Sequence, residues 1–153
     1  MSRDAKSKTG RSLGGLEEDV FVSLMRTADL LARRGELLLK AADISPTQYN
    51  VLRILRGSPQ GLACSEIGKR MITRDPDITR LLDRLEKREL ISRCRETKDR
   101  RMVLTRITPK GLQLLRDLDG PITELHKSQL GHMGREGLRS LMKLLEAARE
   151  KVV

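Results

Sequence analysis

Aromatic residues are almost missing from this chain: there is no Trp, one Phe and one Tyr in 153 residues. Little surface is therefore on offer for stacking a planar ligand. Two cysteines, Cys64 and Cys94, are too few for a disulfide framework; packing is favoured for them, with redox sensing the alternative. No apolar run approaches the roughly 18 residues a membrane span needs. The opening "MSRDAKSKTGRSLGG" is basic, and no apolar stretch follows it, so residues 1–14 read as a mobile tail rather than a secretory leader. The expected compartment is the cytoplasm. His126 and His132 are six apart, which does not place two ligands on one helical face, so no metal site is expected. No Ser-His-Asp set, paired carboxylates or Gly-rich phosphate loop stands out, and neither an enzyme nor a cofactor is expected.

What the chain has is positive charge. Lys and Arg number 31 against 21 Asp and Glu, a net +10. From Cys64 to Gly111 the count is 14 against 8, so the middle third carries +6 of that excess. Such a balance speaks of partners rather than fold, and nucleic acid is its commonest partner. The length suits one domain with a real core.

The two ends read as long helices. Val20, Leu24, Ala28 and Leu31, with Phe21 and Met25 alongside, follow the i, i+3, i+4 pattern, and Leu138, Leu141, Met142, Leu145, Ala148 and Val152 repeat it. A further helix spans about Pro109 to Gly131, and Gly131 and Gly134 break it from the last. The middle is made of shorter pieces. "SPTQ" opens a helix at Pro46, with Ser45 as cap and Gln48 closing a capping box, and "GSPQG" ends it. A short helix is expected from about Cys64 to Met71, starting a residue or two late because Ala63 stands where a Ser or Thr cap is frequent. Pro76 is read as the first residue of the next helix, which runs to about Arg88 and turns Ile78, Leu81, Leu82 and Leu85 one way. "LISRCRE" and "RMVLTRIT" then alternate around an "ETKDRR" turn, and Thr108 and Pro109 start the following helix.

Helix, turn, short helix, turn, helix and hairpin is the order of a winged helix-turn-helix, in which the third helix enters the major groove and the hairpin reaches the neighbouring backbone or minor groove. The stretch "LLDRLEKRELISRCRETKDRRMVLTRITPKG" resembles the multiple-antibiotic-resistance regulator (MarR) family, whose marks are a recognition helix ending in "DRLE", a wing with Asp-x-Arg, and "ITPKG" leading into the next helix. The likeness covers about Ser45 to Leu115. It implies a mainly α fold with a small β-hairpin wing, assembled as an intertwined homodimer through N- and C-terminal dimerisation helices. The expected organisation is a tail at 1–14, a dimerisation helix at 15–42, a DNA-binding lobe at 45–112 and dimerisation helices at 113–153.

The resemblance also implies roles. Arg101 is the residue that enters the minor groove, Asp99 braces it, and Lys98 and Arg100 meet phosphates. Arg74, Asp77, Thr79, Arg80 and Arg84 lie on the recognition helix where bases and phosphates are contacted; Ser65 is a phosphate contact, and Arg95 is counted with the wing. The chain departs from the family at Glu89, where a Gly is usual before the Leu. Keeping a left-handed helix end there costs about 1 kcal/mol. Plainer readings stand beside these: a solvated hairpin tip for the wing charges, and Asp83 and Glu86 as surface partners of Arg80 and Arg84.

The family commonly holds small effectors in a cleft, for which Met25, Arg26, Arg33, Tyr49 and Arg53 are candidates by location, although packing and surface charge are favoured for them and the effector site stays unknown. The expected function is a sequence-specific repressor on a pseudo-palindromic site in double-stranded DNA, released by a small molecule. The alternatives are a protein-interaction scaffold built on the winged helix and a general nucleic-acid binder.

Overall fold

The computed structural model describes residues 14–96, 98–99 and 101–152. The expected tail lies outside the described residues except for Gly14, and Arg100 lies outside them altogether. Contacts divide the chain into two compact units, one ending at Arg34 and one starting at Gly35. Helix α1 (Gly15–Ala41) belongs to the first up to Arg34. That part is held by its own helical bonds, an Arg33–Asp29 ion pair at 2.7 Å and a Thr27 hydroxyl that donates to the Ser23 carbonyl. Leu16, Val20, Phe21, Leu24, Met25 and Leu30 on it are exposed.

The second unit holds the end of α1, then α2 (Pro46–Arg56), α3 (Cys64–Arg70), α4 (Ile78–Lys87), β1 (Ile91–Arg95), β2 (Val103–Ile107), α5 (Pro109–Leu130), a 3-10 turn at Gly131–Met133 and α6 (Gly134–Arg149). Its core joins Leu39 and Ile44, Val51, Leu52 and Leu55 of α2, Ile67 of α3, Leu81, Leu82 and Leu85 of α4, Leu90 and Ile91, and Leu115, Leu118 and Ile122 of α5. Burying each such side chain contributes about 2 kcal/mol. None of α6 is buried, and Met142 and Leu144 are exposed on it.

Local chemistry sets the boundaries. The Ser45 hydroxyl accepts from the Gln48 N–H, and the Gln48 side chain accepts from the Ser45 N–H, which is the expected capping box. Thr108 caps α5 through the Gly111 N–H, with Pro109 in the first turn. Two expectations need correction. Helix α3 starts at Cys64, not later, although Ala63 supplies no cap; burial of Ile67 outweighs the missing bond. Helix α4 starts at Ile78 rather than Pro76, because Asp77 is its cap and accepts from the Arg80 N–H.

Two helices end in the same way on residues other than glycine. Asp43 (φ 54°) and Glu89 (φ 59°) are both left-handed. After α1, Ile44 N–H donates to the Leu39 carbonyl and Asp43 N–H to that of Lys40; after α4, Leu90 N–H donates to Leu85 and Glu89 N–H to Glu86. These are Schellman ends, each with its buried apolar pair, Leu39 with Ile44 and Leu85 with Leu90. The geometry usual for glycine is thus kept at Glu89.

The hairpin is antiparallel, with Ile91 opposite Ile107, Arg93 opposite Thr105 and Arg95 opposite Val103. The outer edge of β2 is bridged by Leu62: Leu62 and Thr105 exchange N–H···O bonds of 3.0 and 2.9 Å. Gly111 lets α5 lie against this sheet, since a Cβ there would run into the Leu90 carbonyl and Ile107.

Candidate nucleic-acid interface

Helices α3 and α4 form the helix-turn-helix, and the seven residues between them are pinned at both ends. Asn50 of α2 accepts from the Ile72 N–H at 2.8 Å, and the Asp75 carboxylate accepts from the Asp77 N–H at 2.8 Å. With Leu81, Leu82 and Leu85 turned into the core, α4 presents Thr79, Arg80, Arg84 and Lys87 to solvent. Ser65 is exposed in the first turn of α3. Arg74 is exposed too, but it stands in the loop and not on α4 as expected, because the helix begins later. Asp77 likewise precedes the helix and acts as its cap, with its other carboxylate oxygen 3.8 Å from Arg80.

On the hairpin, Arg95, Lys98, Asp99 and Arg101 are all exposed. Arg101 falls in the turn, and the Asp99 carboxylate accepts from its backbone N–H at 3.0 Å. The brace thus holds the main chain that carries Arg101. Met102 N–H donates to the Asp99 carbonyl and Glu96 N–H to that of Met102, which closes the loop. Cys94 is exposed on β1 rather than packed in the core, since the strand's buried stretch ends at Ile91, while half-buried Cys64 packs against the core. Among the described residues, no group of three or more His, Cys, Asp or Glu side chains is placed to hold a metal.

The acidic partners fall elsewhere than the sequence suggests. Asp83 and Glu86 do not pair with Arg80 or Arg84; both take Arg93 of β1. The Arg93 guanidinium reaches Asp83 at 2.5 Å and Glu86 at 3.0 and 3.3 Å, and the Arg93 N–H also donates to Glu86 at 3.1 Å. These bonds hold the Glu86 carboxyl below the usual carboxylate range and raise the Arg93 guanidinium above its own. Arg93 was not among the residues expected at the site. Its signal was a carboxylate pair at i, i+3 on α4 facing a strand arginine.

A second arginine ties α2 to α5: Arg56 donates to both oxygens of Asp119, at 2.8 and 3.0 Å. That fork lowers the Asp119 carboxyl. Nearby, Arg53 lies 5.9 Å over the Tyr49 ring, and burial pushes the Tyr49 hydroxyl up. An open groove of about 700 Å³ runs past Lys40, Ile44, Ser45, Arg84, Lys87 and Arg88.

Known proteins fit this geometry. The model of the MarR family matches residues 44–103, from the start of the helix-turn-helix lobe into β2. The solved structure of a MarR transcription factor from Planctomyces limnophilus is 38% identical, with a TM-score of 0.66 over 90% of this chain and 98% of that one. The transcriptional regulator PcaV from Streptomyces coelicolor, solved with its natural ligand, is 25% identical at a TM-score of 0.70, over 82% and 91% of the two chains. The HTH-type transcriptional regulator FarR of Neisseria gonorrhoeae is 25% identical across 82% of this chain and 86% of its own. On a match that spans the recognition helix and reaches into the wing, and a relative 38% identical over nearly its whole length, the chain belongs to the MarR family of transcription regulators.

Proposed function

We propose that this protein is a homodimeric repressor in the cytoplasm that binds a pseudo-palindromic site in double-stranded DNA and is released by a small-molecule effector. The observation that carries the reading is the side-chain division on α4 and the hairpin. Arg80 and Arg84 of α4 and Arg101 of the turn stand exposed beside a core to which they contribute nothing. Arginine suits both surfaces of DNA, forming bidentate contacts to guanine edges in the major groove and entering a narrow minor groove.

Burial supports the dimer. Apolar side chains on α1 and α6 stay exposed in the single chain, Phe21 at 63% and Leu144 at 69% among them, and a second copy is the partner that the family supplies. In this reading 15–42 and 113–153 dimerise and 45–112 is the DNA-binding lobe. Ser65, Arg74, Thr79, Arg80, Arg84, Arg95 and Lys98 meet the duplex beside Arg101, while Asp77 and Asp99 shape the backbone that presents them. The effector is inferred from the relative solved with its natural ligand. It acts by changing the spacing of the two recognition helices, which must match half-sites about one DNA turn apart.

Footprinting on the DNA flanking its own gene tests the proposal. A two-fold protected site is expected, with a log–log salt slope of about −5 or steeper. Protection without sequence preference would leave only a general binder, and a slope near zero would remove DNA altogether.

A further inference from the structure

The proposed interface has two parts, helix α4 and the hairpin, and something must fix one against the other. Beyond Glu96 the hairpin has no core beneath it: Lys98, Asp99, Arg101, Met102 and Val103 are exposed, as are Cys94 and Arg95 before it. Ile91 sits in the core at its base, and the last anchorage toward the tip is one cross-strand pair, Arg93 opposite Thr105. In an antiparallel ladder, alternate residues turn their N–H and C=O groups away from the partner strand. At this pair both do so. Thr105 turns to Leu62 and exchanges two bonds with it, and the Arg93 N–H turns to the Glu86 carboxylate of α4. The Arg93 side chain then closes over Asp83 and Glu86, one turn of α4, with 24% of it exposed.

We infer that Arg93 is a positioning residue, which sets the angle of the wing to the recognition helix through Asp83 and Glu86 and touches no DNA itself. This rests on the DNA-binding reading above. Arg101 stands four positions from the rung along the β2 side and Asp99 six along the β1 side, so the shorter arm is a lever of about 13 Å. A tilt of about 10° at the rung moves the tip by about 2 Å, well beyond the roughly 0.5 Å within which a binding constellation must be held. The same clamp neutralises two carboxylates on the helix that displays Arg80 and Arg84, so those cations face DNA without acidic neighbours competing for them. Arg84 has no carboxylate within 4 Å among the described residues, and Arg80 has only the long contact to Asp77.

Arg93→Lys tests this with the net charge unchanged, because an ammonium cannot span both carboxylates as a guanidinium fork does. Without DNA, amide exchange at Glu96 and Met102, whose N–H groups close the wing loop, should quicken about tenfold while the buried α2 amides of Leu52 and Leu55 keep their rates. Unchanged wing rates, or wing and α2 rates rising together, would overturn the inference. Glu86→Gln attacks the clamp from its other side and should move the same amides. On operator DNA, Arg93→Lys should cost about tenfold in affinity with the salt slope unaltered, and less than about threefold when Arg101→Ala is already present. An equal loss in both backgrounds, or a slope shallower by about one, would show Arg93 acting without the wing or as a phosphate contact, and the inference would fail. Should the wild-type chain bind no duplex at all, the DNA reading fails, and the exchange rates still decide whether Arg93 holds the wing.

Discussion

Replacing Glu89 by glycine should make this protein more stable, although it deletes a side chain. Glu89 follows α4 at φ 59°, where a Cβ costs about 1–2 kcal/mol relative to no side chain. Glycine returns part of that gain, about 0.5–1 kcal/mol, through the greater freedom of the unfolded chain. The other loss is the contact of the Glu89 carboxylate with Lys110 at 3.7 Å, between side chains 82% and 62% exposed, which is worth close to nothing in water. The backbone bonds of the turn, including the Thr108 hydroxyl donating to the Glu89 carbonyl, survive the change. The balance is a gain of about 0.5–1 kcal/mol, or a rise of about 0.4 M in the urea midpoint for a typical slope. Glu89→Ala is the control, since it removes the carboxylate and keeps the Cβ. Urea unfolding of the three proteins at one fixed concentration reads the effect free of shifts from subunit association. A midpoint for Glu89→Gly at or below that of Glu89→Ala would refute the reasoning, because backbone conformation would then not be the term that decides.

Gly111→Ala should act in the opposite sense: its Cβ meets the Leu90 carbonyl and Ile107, so α5 and the sheet must part, with a loss of about 1–3 kcal/mol in the same assay. Arg101→Ala should weaken operator binding and reduce the salt slope by about one while sedimentation still reports a dimer; unchanged affinity would remove the minor-groove role. Acid should destabilise the fold, because hydrogen bonds from Arg93 and Arg56 hold the Glu86 and Asp119 carboxyls below their ordinary range. The folded state then carries fewer protons than the unfolded one, so this stability is present above the ordinary carboxylate range and is lost as pH falls through the lowered values. Asp119→Asn should flatten the fall in melting temperature between about pH 6 and 3, and a curve as steep as the wild type's would contradict the assignment.

The sequence was most legible where one short motif sets one boundary. Ser45-Pro46-Thr47-Gln48 and Thr108-Pro109 place the starts of α2 and α5 because cap, proline and partner all lie within four residues. "DPD" was ambiguous for a physical reason. Asp75 and Asp77 both make capping-type bonds, one to the turn and one to the helix, and two aspartates flanking one proline offer either as the cap of α4. Arg93 was hidden because its partners stand seven and ten residues earlier, across a left-handed turn that brings β1 back along α4. Packing is the favoured expectation for Cys94, but a position on a strand does not say where the core beneath it stops, and here it stops at Ile91. The exposed arginines of α4 were legible as a surface, but the division of labour among their acidic neighbours needed the third dimension.

The rung beyond which the hairpin is no longer gripped also bears on how such a protein can change over generations. From Cys94 to Val103 the described residues, half-buried Glu96 apart, lie in the open, so most substitutions there leave the folding equilibrium almost untouched. Selection on that segment is then selection on what it touches, and variants can accumulate at the tip without first being screened for their effect on the core. A saturation library over Lys98, Asp99 and Arg101 should therefore give proteins that nearly all fold and differ mainly in the operators they prefer.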